Sequence, residues 1–207
     1  MVEVTASAVE VAPPLSAVRH WVFDMDGTLT VAMHDFERIK RELGIPPGDD
    51  ILAHLAGLPD VEAARKHAWL LEHERGLAEN ALPAPGAVEL LRALAAAGCR
   101  LGILTRNDHA LAKLTLEAIG VGDLFEDAAI IGRDEAVPKP SPDGVQQHLR
   151  RWGIGADAGV MVGDHVYDLE CGRAAGARTV LVNLPENPWP GRADWHFADC
   201  RALLAAL

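Results

Sequence analysis

The chain has 207 residues, 49% of them apolar, which is enough to bury a core and too apolar for a disordered chain. Its net charge of −11, with no lysine- and arginine-rich tract, excludes nucleic acid as an expected partner. The cysteines Cys99, Cys171 and Cys200 are too far apart for a disulfide framework or a zinc site, and no apolar run approaches a membrane span. With no signal-like leader in MVEVTASAVEVAPP either, a reducing cytoplasm is the expected location.

In chain order, residues 1–17 read as an arm ending in Pro13-Pro14. A first strand follows over 20–24, and its apolar run Trp21-Val22-Phe23 stops at Asp24, Asp26 and the turn-forming Gly27. From Val31 to Leu82 the pattern is helical. Phe36, Ile39 and Leu43 mark one helix, stopped by Gly44 and Pro46-Pro47. Ile51, Leu52, Leu55 and Leu58 mark a second, ended by Pro59. Asp60 is expected to cap a third, running to Asn80 with an apolar stripe of Val61, Ala64, Ala68, Leu71 and Ala78. Leu82-Pro83-Ala84-Pro85-Gly86 reads as a stiff linker.

Beyond it, helix and strand alternate. Helices are expected over 86–97, 109–119 and 142–152 and from Gly163-Asp164 to Ala175, with strands over 99–104, 128–131, 159–162 and 179–182 and an edge strand over 194–197. The segment Leu184–Trp195 reads as a loop. This alternation predicts an α/β fold, a Rossmann-like parallel sheet sandwiched by helices, with residues 1–30 and 83–207 as the core and 31–82 as a helical insertion after the first strand.

Ligands of open parallel sheets bind at the carboxyl ends of the strands. There the chain places Asp24 and Asp26, Thr105, Lys139, and Asp164 with Asp168. Crowded carboxylates favour a divalent cation, and magnesium takes oxygen ligands while keeping positions for water and phosphate. Lysine offers a point charge to a phosphate oxygen, and backbone N–H groups in the turns after Asp24 and Thr105, around Gly27, Arg106 and Asn107, can hold others. A carboxylate so placed can attack phosphorus. The chemistry indicated is phosphoryl transfer to or from a small phosphorylated metabolite.

The four stretches DMDGTLT, ILTRN, VPKPSPD and MVGDHVYD, in this order and with helical sequence after the first, resemble the four motifs of the haloacid dehalogenase (HAD) superfamily. More narrowly, they resemble its phosphatases with a small helical cap, such as phosphoglycolate phosphatases. The resemblance implies Asp24 as nucleophile and Asp26 as general acid and then base. It implies Thr105 on the transferring phosphoryl group, Lys139 between that group and Asp24, and magnesium on Asp24, Asp164 and the Asp26 carbonyl. Asp168 would orient Lys139 or a metal-bound water.

The acid at Asp26 favours phosphate esters over dehalogenation or phosphonate cleavage. The alternatives are a phosphomutase of the β-phosphoglucomutase type, with a faint likeness in Thr30 and His34-Asp35-Phe36, and a phosphoacceptor or phosphate-binding protein without turnover. A receiver domain, however, is shorter and carries its phosphoacceptor after a later strand. In the insertion, Glu62, Lys66, Trp69, His73 and Gly76 form a polar stripe, in which Trp69 is expected to rest under the stem of Lys66. Arg106 is open to either a substrate anion or a surface ion pair, and His34 is placed to sense closure of the cap. Trp152, Trp195, Cys99 and Cys171 read as packing residues, and Tyr167 as partly exposed.

Overall fold

The computed structural model of the chain describes residues 14–33 and 35–207, so His34 and the first thirteen positions of the expected arm lie outside the described residues. The strands are β1 (His20–Phe23), β2 (Arg100–Leu104), β3 (Ile130–Ile131), β4 (Gly159–Gly163), β5 (Arg178–Leu181) and β6 (Trp195–His196). They form one parallel sheet in the order β3-β2-β1-β4-β5-β6. β1 is central, and the chain builds outward on one side of it before crossing to the other. The strand order therefore reverses at β1 and β4, where such sheets bind their ligands.

Alternation along β1 divides the core. Trp21 and Phe23 face a layer with Leu90, Leu91, Leu116 and Leu203, whereas Val22 faces the other layer with Val145, Leu149 and Cys171. The first layer is made by α4 (Ala87–Ala96), α5 (His109–Ala118) and α8 (Cys200–Ala205), the second by α6 (Asp143–Trp152) and α7 (Val166–Ala174). Between β1 and α4 lie α1 (Phe36–Leu43), α2 (Ile51–Ala56) and α3 (Asp60–Glu79). They share a separate cluster of Ile39, Leu43, Ile45, Leu55 and Leu70.

The two ends of this insertion run side by side. Val31 N–H donates to the Leu82 carbonyl at 2.9 Å, and Ala84 N–H to the Leu29 carbonyl at 2.8 Å. From there α3 packs over α5. Among the described residues, no helix is long and apolar enough to cross a membrane.

Several expectations change. The described end of the arm is anchored: Leu15–Ala17 form a 3-10 turn, and Leu15 and Val18 are buried. Asp60 does not cap α3; Pro59 holds that position, and Asp60 and Glu62 sit in the first turn, where acids suit the helix dipole. Of the apolar stripe expected on α3 only Ala78 is buried; Val61 is 87% and Leu71 43% exposed. The inward face instead carries Lys66, Leu70, His73, Glu74 and Ala78. Trp69 stacks on His73, with ring centroids 5.1 Å apart, rather than resting under Lys66, which pairs with Glu62 at 3.1 Å.

β3 is shorter than expected because Asp127–Ala129 turn as a 3-10 helix. The C-terminal helix α8, absent from the sequence reading, is capped by Asp199, whose side chain accepts from Ala202 N–H at 2.8 Å.

Candidate active site

Asp24 follows β1 directly and continues its ladder, its N–H donating to the Val162 carbonyl at 2.9 Å. This fixes its side chain at the sheet rim, where it is buried. Lys139, buried in the loop before α6, places its Nζ 2.5 Å from Asp24 Oδ1 and 2.7 Å from Asp168 Oδ1. Burial alone would lower the lysine pKa, but Asp168 and Asp24 outweigh it and hold Lys139 charged.

Both oxygens of Asp168 are engaged, because Oδ2 accepts the His165 N–H at 3.1 Å in a capping box that opens α7. The helix is thus started by the same carboxylate that positions the lysine. Gly163 makes this possible: a Cβ there would lie 2.2 Å from the Asp168 side chain.

Asp164, at the end of β4, faces Asp24 across Thr28. The Thr28 hydroxyl lies 3.2 Å from Asp24 Oδ2 and 3.0 Å from Asp164 Oδ1. Gly27 sits in the left-handed region at φ 86°, and a Cβ on it would come within 2.5 Å of Asp164 Oδ2. Its N–H, expected to bind phosphate, instead donates to the Thr30 carbonyl at 3.1 Å, so Gly27 contributes space and turn geometry rather than a free donor. Burial pushes the Asp164 carboxyl up to about 6, with the Asp24 charge adding to it, and burial lifts Asp168 to about 6 as well.

Asp24, Asp164 and Asp168 present carboxylate oxygens within 4.8 Å of one another. An all-oxygen donor set, with a glycine clearing the space beside it, fits a hard cation such as magnesium better than a metal that seeks sulfur or imidazole. Asp168 spends its oxygens on Lys139 and His165, which leaves Asp24 and Asp164 as the side chains best suited to such an ion.

Asp26 lies two residues beyond Asp24. Burial, reinforced by the Asp24 charge and more weakly by Glu74, lifts its carboxyl to about 7, while Lys139 and a hydrogen bond from Asn107 act against the shift. Thr105 is buried after β2, and its Oγ accepts the Asn107 N–H at 3.0 Å. The site thus brings together Asp24, Asp26, Thr105, Asn107, Lys139, Asp164 and Asp168. Arg106 turns away to the insertion, where its Nη2 is 3.6 Å from Asp50, the N-cap of α2; both side chains are at least half exposed. The surface ion pair considered for Arg106 is thus present.

Thr28, the hydroxyl that closes the stretch Asp24–Thr28, sits between the two acids, and two further groups join the site without having been singled out. Asn183, at φ 62° after β5, donates through Nδ2 to the carbonyls of Gly27 and Thr28, both at 2.8 Å, and ties down the turn that carries Asp26. Arg133 lies two residues past β3, and the strand-end argument that picked out Thr105 applies to it equally. The Leu184–Trp195 loop passes the rim, with Trp189 edge-on to His165 at 5.5 Å between ring centroids. A cavity of about 830 Å³ lies away from these acids, beside β3, and is lined by His109, Ile130, Gln147 and His148 among others.

The expected packing residues keep that role. Cys171 and Cys200 are buried free thiols whose pKa burial pushes up to about 12, and Cys99 is a half-buried free thiol. Trp152 stacks on the buried His148, whose own pKa burial lowers to about 4.

Comparison with known proteins gives the same picture. The model of the haloacid dehalogenase-like hydrolase family matches residues 18–176. The chain is 39% identical over 190 residues to a phosphoglycolate phosphatase of Rhodospirillum rubrum, covering 78% of each chain. It is 28% identical over 183 residues to the N-acetylmuramic acid 6-phosphate phosphatase of Pseudomonas aeruginosa, covering 78% of this chain and 80% of that one. A crystal structure from Haemophilus somnus, assigned as a phosphoglycolate phosphatase, superposes with a TM-score of 0.74 at 20% identity. That match spans 92% of this chain and 98% of the other, and it shows the shared fold.

Proposed function

The chain belongs to the haloacid dehalogenase-like hydrolase family, and on that premise we propose that it is a phosphatase of small phosphate monoesters that works through a phosphorylated Asp24. The observation that carries this reading is the placing of two acids two residues apart in different surroundings: Asp24 Oδ1 lies 2.5 Å from the Lys139 Nζ, while burial lifts Asp26 to about 7. A group poised near neutrality can give a proton in one step and take one in the next, as a general acid and then base must. Relatives named as phosphatases of two different phosphate esters support the reaction class without fixing the ester.

In the first step an Asp24 oxygen attacks phosphorus, the P–O bond to the organic group breaks, and Asp26 gives its proton to the departing oxygen. In the second, the Asp26 carboxylate takes a proton from water. The water oxygen attacks phosphorus, the bond to Asp24 breaks, and inorganic phosphate leaves. Thr105 would hold a phosphoryl oxygen through its hydroxyl, and Lys139 would offset the charge gathered between Asp24 and the phosphoryl group. Asp24, Asp164 and the Asp26 carbonyl would hold magnesium, which when bound supplies charge neutralisation for the phosphoryl oxygens.

Residues 31–82 would act as a small lid. The gap between Asp26 and α3 holds about 10 Å³, room for roughly one water. A leaving group placed beside Asp26 would need α3 to swing away and return, with the paired segments at Leu29–Val31 and Leu82–Ala84 as the natural hinge.

The test is steady release of phosphate from p-nitrophenyl phosphate with and without magnesium. Multiple turnovers that require the metal are expected. A single phosphorylation without turnover would indicate a phosphoacceptor, and isomerisation of a sugar phosphate faster than its hydrolysis would indicate a mutase.

A further inference from the structure

The side of Asp26 that faces α3 holds a pair of charges whose one part in the proposed chemistry is the weak upward push of Glu74 on Asp26. Glu74, on the inward face of α3, has its carboxylate oxygens 3.5 and 3.4 Å from Nη1 of Arg133. These side chains are only 14% and 20% exposed, unlike the half-open Arg106–Asp50 pair. Glu74 lines the gap over Asp26 together with Asn107 and Leu77. Arg133 is fixed at the same place by its backbone, its N–H donating to the Asn107 carbonyl at 2.9 Å. If Asp26 protonates the departing oxygen, the organic part of the ester lies on this side of Asp26 once α3 has moved to admit it, and Glu74 with its partner Arg133 are the charged groups it meets there.

We infer that Glu74 and Arg133 read the leaving group and select a neutral, hydroxyl-bearing one, so that the substrate is the phosphate ester of a polyol or sugar rather than of a carboxylic acid. The inference rests on the phosphatase reading above. A sheltered carboxylate accepts hydrogen bonds from hydroxyl groups and the guanidinium beside it donates them, so the pair can bind a polyol with no change in net charge. A leaving group with its own carboxylate would instead set a second anion beside Glu74, next to four site acids. It would also compete for Arg133 and leave Glu74 sheltered without its partner, a costly arrangement. Like-charge juxtaposition of this kind is how a site rejects a competitor of similar size.

The experiment compares kcat/KM for glycerol phosphate and phosphoglycolate in the wild type, Glu74→Gln and Arg133→Met. Circular dichroism reports folding, and p-nitrophenyl phosphate reports the common chemistry. The wild type is expected to prefer glycerol phosphate. Glu74→Gln should shift the ratio toward the acid by about tenfold, and Arg133→Met should shift it by a similar factor the other way. Opposite shifts distinguish leaving-group recognition from a structural link between α3 and the core, whose loss would affect both esters alike. A wild type that prefers phosphoglycolate, or ratios that stay put or move together in the two variants, would overturn the inference while the phosphatase reading stands. A wild type inactive on p-nitrophenyl phosphate would overturn both.

Discussion

Asp168 holds Lys139 at 2.7 Å inside the protein, and with its other oxygen it caps the helix on which it stands. The lysine that serves Asp24 is thus placed by a residue that does not itself need to meet substrate. Asp168→Asn is expected to lower kcat by about 10–100-fold with a smaller change in KM, since it loosens the aim of Lys139 but removes no group from the phosphoryl site. Lys139→Met should lower kcat by about a hundredfold or more and destabilise the fold by about 3–5 kcal/mol, because it leaves Asp24 and Asp168 buried without their counter-ion. Steady-state kinetics and urea unfolding check both.

As the proposed general acid, Asp26, lifted by burial to about 7, should give the reaction its pH dependence. For an alkyl phosphate, kcat should fall as pH rises through about 7, because the protonated form that serves the leaving oxygen is lost. With p-nitrophenyl phosphate, whose leaving group departs without a proton, the alkaline limb should be much shallower. Equal limbs for the two esters would remove Asp26 as the general acid.

The raised carboxyls also make metal-free stability depend on pH. Asp26, Asp164 and Asp168 all hold protons more tightly in the fold than in the unfolded chain. Their contribution is complete below about 4 and is lost as pH rises through about 6 to 7, so the melting temperature without metal should fall across that window. Magnesium should raise the melting temperature most at the upper end, where the carboxylates are ionised and repel one another. Thermal scans with magnesium and with chelator would show the two curves diverging as pH rises; parallel curves would contradict the cation site.

Asn183 is the tie between the β5 end and the turn after Asp26. Asn183→Ala removes the donor to two carbonyls and should cost about 1–3 kcal/mol of stability. It should also lower kcat more than it raises KM, since the turn that aims Asp26 is loosened. Asn183→Asp keeps the shape but cannot donate when ionised, so it should not restore the loss.

Much of the fold is legible in the chain because its buried strands are short apolar runs closed by polar turns. β1, β2, β4 and β5 stand within one or two residues of where that pattern puts them, and the acids at their ends meet as the topology requires. The extent of α3 is as expected, and its inward face differs for a physical reason. Amphipathic patterning assumes that the inward face is apolar, but this helix lies over a charged site and turns Lys66, His73 and Glu74 inward, leaving Val61 and Leu71 to solvent. Asn183 left no local signal, since its partners are backbone carbonyls on a distant turn. Arg133 was within reach of the strand-end rule, since β3 ends at Ile131 as expected, but its partner Glu74 lies on a distant helix and leaves no local signal beside it.

The central claim is that Asp24 carries the phosphoryl group, and trapping it is the most direct test. Asp26→Asn keeps the nucleophile but lacks the base that would activate water for the second step. Incubated with p-nitrophenyl phosphate and magnesium, then quenched in acid, digested and analysed by mass spectrometry, it should show one phosphoryl group on the peptide carrying Asp24, absent in the Asp24→Asn variant. An Asp24→Asn protein that hydrolyses the ester at the wild-type rate, or an Asp26→Asn protein that cleaves it with no phosphoryl group ever found on Asp24, would contradict the account.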